Sequence, residues 1–246
     1  MPRASCAPSL RRFTHDWPAA VRTLGRETLV ALLILVAGTA SGFLLVASDP
    51  GWFEAIVGQD MASGRNPQAS ADLLRSILYA KPDNSDGLKV FATWLFTHNA
   101  QVALGCFALG FAFGVPTLML LFYNGAALGA MLQIYAAKGL GVPMAGWLSI
   151  HGTTELFAIV IAAAAGLHIG TRIAFPGAAS RMTAAKQSGR TAAIAMVGVV
   201  VMLGVAGLLE GIGRQTINSD ALRFAIGGTM LGVWLAYFYL LRFRRG

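Results

Sequence analysis

His151 and Glu155 stand four residues apart in MAGWLSIHGTTELFAIVIAAAAGLHIG, residues 144–170, where Glu155 is the only full charge. An i, i+4 pair shares one face of a helix. Imidazole titrates near neutral pH, and a carboxylate can hold a proton or a cation. Three kinds of chemistry are open to such a pair. The two groups can hydrogen-bond each other and fix helix register, or form a site for an ion, a proton or a lipid. With a third ligand they could support metal-dependent hydrolysis, but zinc catalysis normally takes three protein ligands plus an open position. The H-x-x-x-E spacing also lacks the second His of H-E-x-x-H. Thr154 and Gly152 flank the same face, and His98 with Asn99 forms a second polar group upstream. His98, Asn99, His151, Thr154 and Glu155 are therefore the candidate intramembrane polar site, with no catalytic residue, metal or cofactor assigned.

The elements that position these residues are transmembrane helices. Apolar residues make up 56 % of the 246 residues and charged ones 12 %, and the charges are bunched between long neutral stretches, unlike a globular surface. Segment 28–47, TLVALLILVAGTASGFLLVA, is uncharged and long enough to cross a hydrocarbon core of about 30 Å. It reads as an uncleaved signal anchor, because a cleaved signal peptide has a shorter apolar core and a shorter basic lead. Further spans are expected at 98–122, 124–143, 144–169, 191–213 and 222–241, giving an all-α, polytopic bundle of about six helices. Basic residues precede the first span (Arg3, Arg11, Arg12, Arg22, Arg26), separate the fourth and fifth (Arg172, Arg181, Lys186, Arg190) and end the chain (Arg242, Arg244, Arg245). By the positive-inside rule all three regions are cytoplasmic, in a multi-pass inner-membrane protein. This requires three crossings between 48 and 170, and so supports the short, Gly-rich span 124–143.

The chain thus divides into a basic tail (1–27), the first span (28–47), an extracytoplasmic amphipathic segment (48–97), a core of spans two to four (98–170), a basic loop (171–190), spans five and six (191–241) and a basic end (242–246). In the outer segment Leu73, Leu74, Ile77 and Leu78 recur at helical spacing, which predicts a helix lying on the membrane surface or on the bundle. About fifty residues are too few for a catalytic core of their own; the segment is a docking surface or a solvated connector. The net charge of +8 is accounted for by the cytoplasmic ends and calls for lipid headgroups, not nucleic acid, as partners.

Within the spans, Pro116 is expected to kink span two, with Thr117 partly satisfying the freed carbonyls. Asn124 and Gly125 fit a tight turn between spans two and three. Six Gly-x-x-x-Gly pairs, including Gly110 and Gly114, point to close helix packing rather than to a repeat: Gly38/Gly42, Gly110/Gly114, Gly125/Gly129, Gly166/Gly170, Gly207/Gly211 and Gly228/Gly232. Glu210 and Arg214 read as an interfacial ion pair, Lys138 as a snorkelling end, His168 as a cation suited to a helix C-terminus, and Trp52, Trp147, Trp234, Tyr237 and Tyr239 as core or interfacial aromatics. Cys6 and Cys106 fall on opposite sides of the assignment, so a disulfide between them is not expected.

The order HN at 98–99, FALGFAFGVPT at 107–117, NGAALG at 124–129, HGTTEL at 151–156 and AGLHIG at 165–170 resembles the stage II sporulation protein M family. The resemblance covers residues 90–170 well and the rest by topology. His151, Gly152, Glu155, Asn124 and Gly125 match that family's polar motifs. The resemblance implies an integral membrane protein whose named member acts in endospore engulfment together with cell-wall-degrading partners that it helps to localise. It thus points to a scaffold for other membrane or envelope proteins, able to form a homo-oligomer, and away from an enzyme. Two alternatives stay open: a small transporter or channel subunit with Glu155 as its proton or ion site, and an intramembrane hydrolase using His98, His151 and Glu155 on a metal.

Overall fold

The computed structural model describes residues 15–79 and 86–240, with the side chains of 60, 86–96, 212 and 214–216 outside the description. All regular structure among these residues is helical. In chain order the helices are α1 (Trp17–Thr23), α2 (Gly25–Ser48), α3 (Trp52–Ile56), α4 (Gln59–Ala62), α5 (Ala71–Leu78), α6 (Asp86–Leu109), α7 (Val115–Ala136), α8 (Gly141–Ala174), α9 (Arg181–Thr216) and α10 (Asp220–Leu235), the last continued by a π-helical turn, Ala236–Leu240. Among the described residues, five segments are long and apolar enough to cross a membrane: α2, α7, α8, the part of α9 up to Gly211, and Asp220–Leu240. The 24 residues of α6 span about 36 Å at 1.5 Å per residue. The chain is an all-α, multi-pass membrane protein.

α8 is the central element, packed against α2, α6, α7, α9 and α10. Its 34 residues exceed the roughly 20 needed to span the hydrocarbon core, so it reaches past the core. Facing residues set the helix directions. Gly38 and Gly42 of α2 lie against Phe122 and Ala126 of α7, so those two helices run parallel. Cys106 of α6 and Gly110 just after it meet Gly166 and Gly170 of α8, also parallel. Ser149 and Thr153 of α8 donate to the carbonyls of Arg223 and Gly227 in α10, at 3.0 and 3.1 Å.

Four of the six glycine pairs make these crossings. A methyl group on Gly42 would overlap the Ala126 carbonyl, and one on Gly129 the Thr39 carbonyl; only a missing side chain permits such backbone approach. Gly211, Gly228 and Gly232 instead have nothing within 4 Å of where a side chain would start, so the expectation of tight packing fails for Gly228/Gly232 and for Gly211. α9 and α10 meet their neighbours through other residues.

The expected span 98–122 is two helices. The chain breaks at 110–114, where Phe113 (φ 62°) and Gly114 (φ 79°) take the left-handed conformation, and α7 then starts with Pro116 in its first turn. There the ring costs no hydrogen bond and its fixed φ suits the helix, so Pro116 begins a helix where a kink was expected. The Thr117 hydroxyl donates to the Cys106 carbonyl across the break at 2.7 Å. The expected turn at Asn124–Gly125 is also corrected. Both residues lie inside α7, with Asn124 Nδ2 donating back to the Leu120 carbonyl at 2.8 Å and Gly125 admitting the α2 backbone at Leu35 and Thr39. Glycine here serves helix approach, not chain reversal. The reversal comes at 137–140, with Gly139 at φ 71°.

The segment after α2, residues 49–79, folds onto the bundle as a cap. Phe53, Ile56, Val57, Leu74 and Leu78 join one apolar core with Ala126, Ala130, Ile134, Tyr135, Met144 and Trp147. α5 begins at Ser70, whose side chain accepts from the Leu73 amide. A fully buried Arg223 locks its end. It donates to the carbonyls of Leu78 (2.8 Å) and Ile217 (3.0 Å), contacts Asp220 at 3.2 Å, and lies 4.8 Å from the centre of the Tyr79 ring. The Tyr79 hydroxyl donates to Asp220; burial first, then this carboxylate, push the phenol above its ordinary range. Of the charged residues of segment 48–97, Lys81, Asp83, Asp86, Lys89 and the side chain of Asp60 lie outside the described residues or side chains.

The opposite end of the bundle carries Arg22, Arg26, Arg172, Arg181, Lys186 and Arg190. The described part of the basic tail there is docked, not free. Trp17 of α1 sits against Trp234, Tyr237 and Phe238, and Arg22 donates to the Phe238 carbonyl at 2.7 Å. His168 meets Glu27 at 2.8 Å, so its partner is a carboxylate on α2. Trp147 and Trp234 are core residues, while Trp52 is 46 % exposed. Cys106 is a buried free thiol. Cys6, residues 242–246 and the Arg214 side chain lie outside the description, while Glu210 is buried.

Candidate functional site

Near the middle of α8, about 21 Å along its axis from Gly141 at 1.5 Å per residue, Glu155 faces a cavity of about 150 Å³. His151 lies one turn nearer the capped end on the same wall, and both side chains are buried. His98 and Asn99 of α6 and Asn124 of α7 complete the polar lining, with Gly152 beside them. The Asn99 amide hydrogen-bonds the Glu155 carboxylate. Trp147 stands edge-on to the His151 ring, centres 5.5 Å apart at 88°, which holds the imidazole by an aromatic contact.

His98, Asn99, His151 and Glu155 thus come together from two parallel helices. Their spacing follows from the α6–α8 crossing, because Gly166 and Gly170 bring the two backbones together about three turns and more beyond Glu155. Thr154 does not join them. It points toward α10, where its hydroxyl accepts from Trp234 Nε1 at 3.1 Å. Gly110, Gly114 and Pro116 form the α6–α7 break, and Gly125 the α2–α7 crossing, all outside the cavity lining.

The group missed in the sequence is Arg65. It is 7 % exposed and lines the same cavity from the cap. Its Nε donates to the Ala62 carbonyl at 2.9 Å and its Nη2 to that of Met61 at 2.7 Å. Burial pulls the guanidinium below the ordinary arginine range and its hydrogen bond with Tyr135 opposes that pull; arginine remains cationic. The available signal was the Ser63–Gly64 turn just before it, with φ of 47° and 79°, which aims the chain back at the bundle. Nothing in the local pattern states what that turn faces.

The cavity therefore holds one carboxylate, one guanidinium, two imidazoles and two carboxamides inside an apolar wall. Such groups within a bilayer are costly unless they face the bundle interior and one another. They can bind or relay a proton, or hold a small polar or charged group. Among the described residues no group of three His, Cys, Asp or Glu side chains is placed to hold a metal ion.

The family model for stage II sporulation protein M matches residues 31–213. The chain belongs to that family. The match runs from α2 through most of α9 and so contains every residue of the polar cavity, while α1 and α10 lie beyond it. No curated protein and no solved structure matches this family member. Family membership and the apolar helices together make it an integral, multi-pass membrane protein.

Proposed function

We propose that this member of the family is a non-enzymatic component of the bacterial inner membrane that organises partner proteins, with both chain ends in the cytoplasm and the 49–79 cap on the outer side. The observation that carries this reading is the cap. Its apolar residues are sunk into the bundle and its end is locked by Arg223, while Trp52 and Leu73 remain exposed, each at 46 %. A short segment held this rigidly on a membrane bundle loses little conformational entropy when another protein docks on it. The orientation rests on the basic residues gathered at the opposite end.

Photo-crosslinkers at positions 52 and 73, in cells that naturally make the protein, test the proposal. The same envelope or membrane protein is expected from both positions, and not from a crosslinker at Val197 on the lipid-facing side of α9. Arg223→Met, which unlocks the cap, should reduce both adducts. Adducts to lipid alone from both cap positions would overturn the reading. A second reading, a small transporter or channel subunit with Glu155 as proton or ion site, is favoured by that carboxylate lining a cavity. It requires Glu155→Gln to abolish a proton or ion flux in proteoliposomes with helicity unchanged, and absence of flux in the unaltered protein removes it.

A further inference from the structure

The polar cavity is not isolated. Beside it, α2, α8 and α10 leave an apolar groove of about 810 Å³, lined by residues such as Thr39, Phe43, Phe157 and Leu231. Leu35, Leu128 and Leu156 line both spaces, so these leucine side chains stand where the two adjoin. A leucine side chain changes rotamer at little cost, and a chain of methylenes can lie across such a wall. An apolar groove at the level of the spanning helices, opening beside a chamber with fixed charges, has the polarity of an amphiphile. Its apolar tail belongs in the groove and its head in the chamber.

The chamber's groups select among heads. A cavity of about 150 Å³, roughly the size that takes benzene, admits the short aminoethyl end of a head with its phosphate toward the mouth, and excludes a sugar-bearing head. A purely anionic head would set the Glu155 carboxylate against a like charge, and a purely cationic head would do the same with Arg65. A head with both signs answers each. The imidazoles of His98 and His151 and the amide of Asn99 supply further hydrogen-bond donors for phosphate oxygens. We infer that the cavity and the adjoining groove form a binding site for an aminophospholipid, its ammonium at Glu155, its phosphate among Arg65, His98 and His151, and an acyl chain in the groove past Leu35, Leu128 and Leu156. Lipid occupancy does not depend on partner recruitment.

The test uses the full chain, purified in a mild detergent and stripped of lipid by exchange. Native mass spectrometry then follows titration with phosphatidylethanolamine and with phosphatidylglycerol of identical acyl chains. Phosphatidylethanolamine is expected to form a one-to-one adduct at least about tenfold tighter than phosphatidylglycerol, one charge pair being worth roughly that factor. Glu155→Gln, checked for unchanged helicity, should remove most of this preference. Equal retention of the two lipids by the unaltered protein would overturn the inference, without need of any variant. So would a Glu155→Gln protein that keeps the full preference, or tighter binding of phosphatidylglycerol.

Discussion

The two halves of α8 solve opposite problems with one continuous helix. From Ile161 to Gly170 small side chains dominate: Ala162, Ala163, Ala164 and Ala165 are fully buried, and Gly166 and Gly170 let α6 and its turn into α7 lie directly on the backbone. From Met144 to Ile159 the same helix carries Trp147, His151 and Glu155 and lines a cavity. Where residues are small, close backbone approach gives dispersion contacts that lipid cannot match. Where they are large and polar, the helices stand apart and the space between them becomes a chamber. The tight half therefore acts as the fulcrum that sets how far apart α6 and α8 stand at the site.

Substitutions at three positions measure that contrast. Gly166→Leu places a side chain into the Cys106 and Phe107 backbone. It should cost about 3 kcal/mol, the upper end for overpacking, and appear as a large fall in the thermal midpoint in detergent; a shift too small to resolve would mean that this crossing is not the fulcrum. Thr154→Val removes the acceptor of Trp234 Nε1 in a buried setting and should cost about 1–2 kcal/mol, read by the same melt together with a change in tryptophan emission. Gly152→Ala, on the cavity wall, meets no backbone, only Cδ1 and Cγ of the Leu148 side chain, both at 3.0 Å. That side chain must give by a few tenths of an ångström while alanine favours the helix, so stability should stay within about 1 kcal/mol of the original. A loss as large as that from Gly166→Leu would erase the distinction between the halves.

The helical, membrane-spanning class was legible because charge segregation and span length are local properties of the chain. The joining of His98 and Asn99 with His151 and Glu155 was open to inference only as a possible meeting of two parallel helices. Helix ends were harder to read. Pro116 and the Asn124–Gly125 pair carry the same local signals whether they bend a helix, start one, end one or admit a neighbour, and only the surrounding backbones choose. The Glu27–His168 and Tyr79–Asp220 contacts each join residues 141 positions apart, beyond the reach of any periodic pattern.

By itself the sequence determined a multi-pass helical membrane protein of the stage II sporulation protein M family, and the i, i+4 face that carries His151 and Glu155, because hydropathy and helical period act within one segment. Tertiary structure alone decided that the chain breaks at 110–114, that Thr154 turns away to Trp234, and that Arg65 returns from the cap to share the cavity with Glu155. Each of these depends on which backbones approach closely enough to need glycine and on which buried polar groups then find a partner, and neither condition is written in any single stretch of the chain.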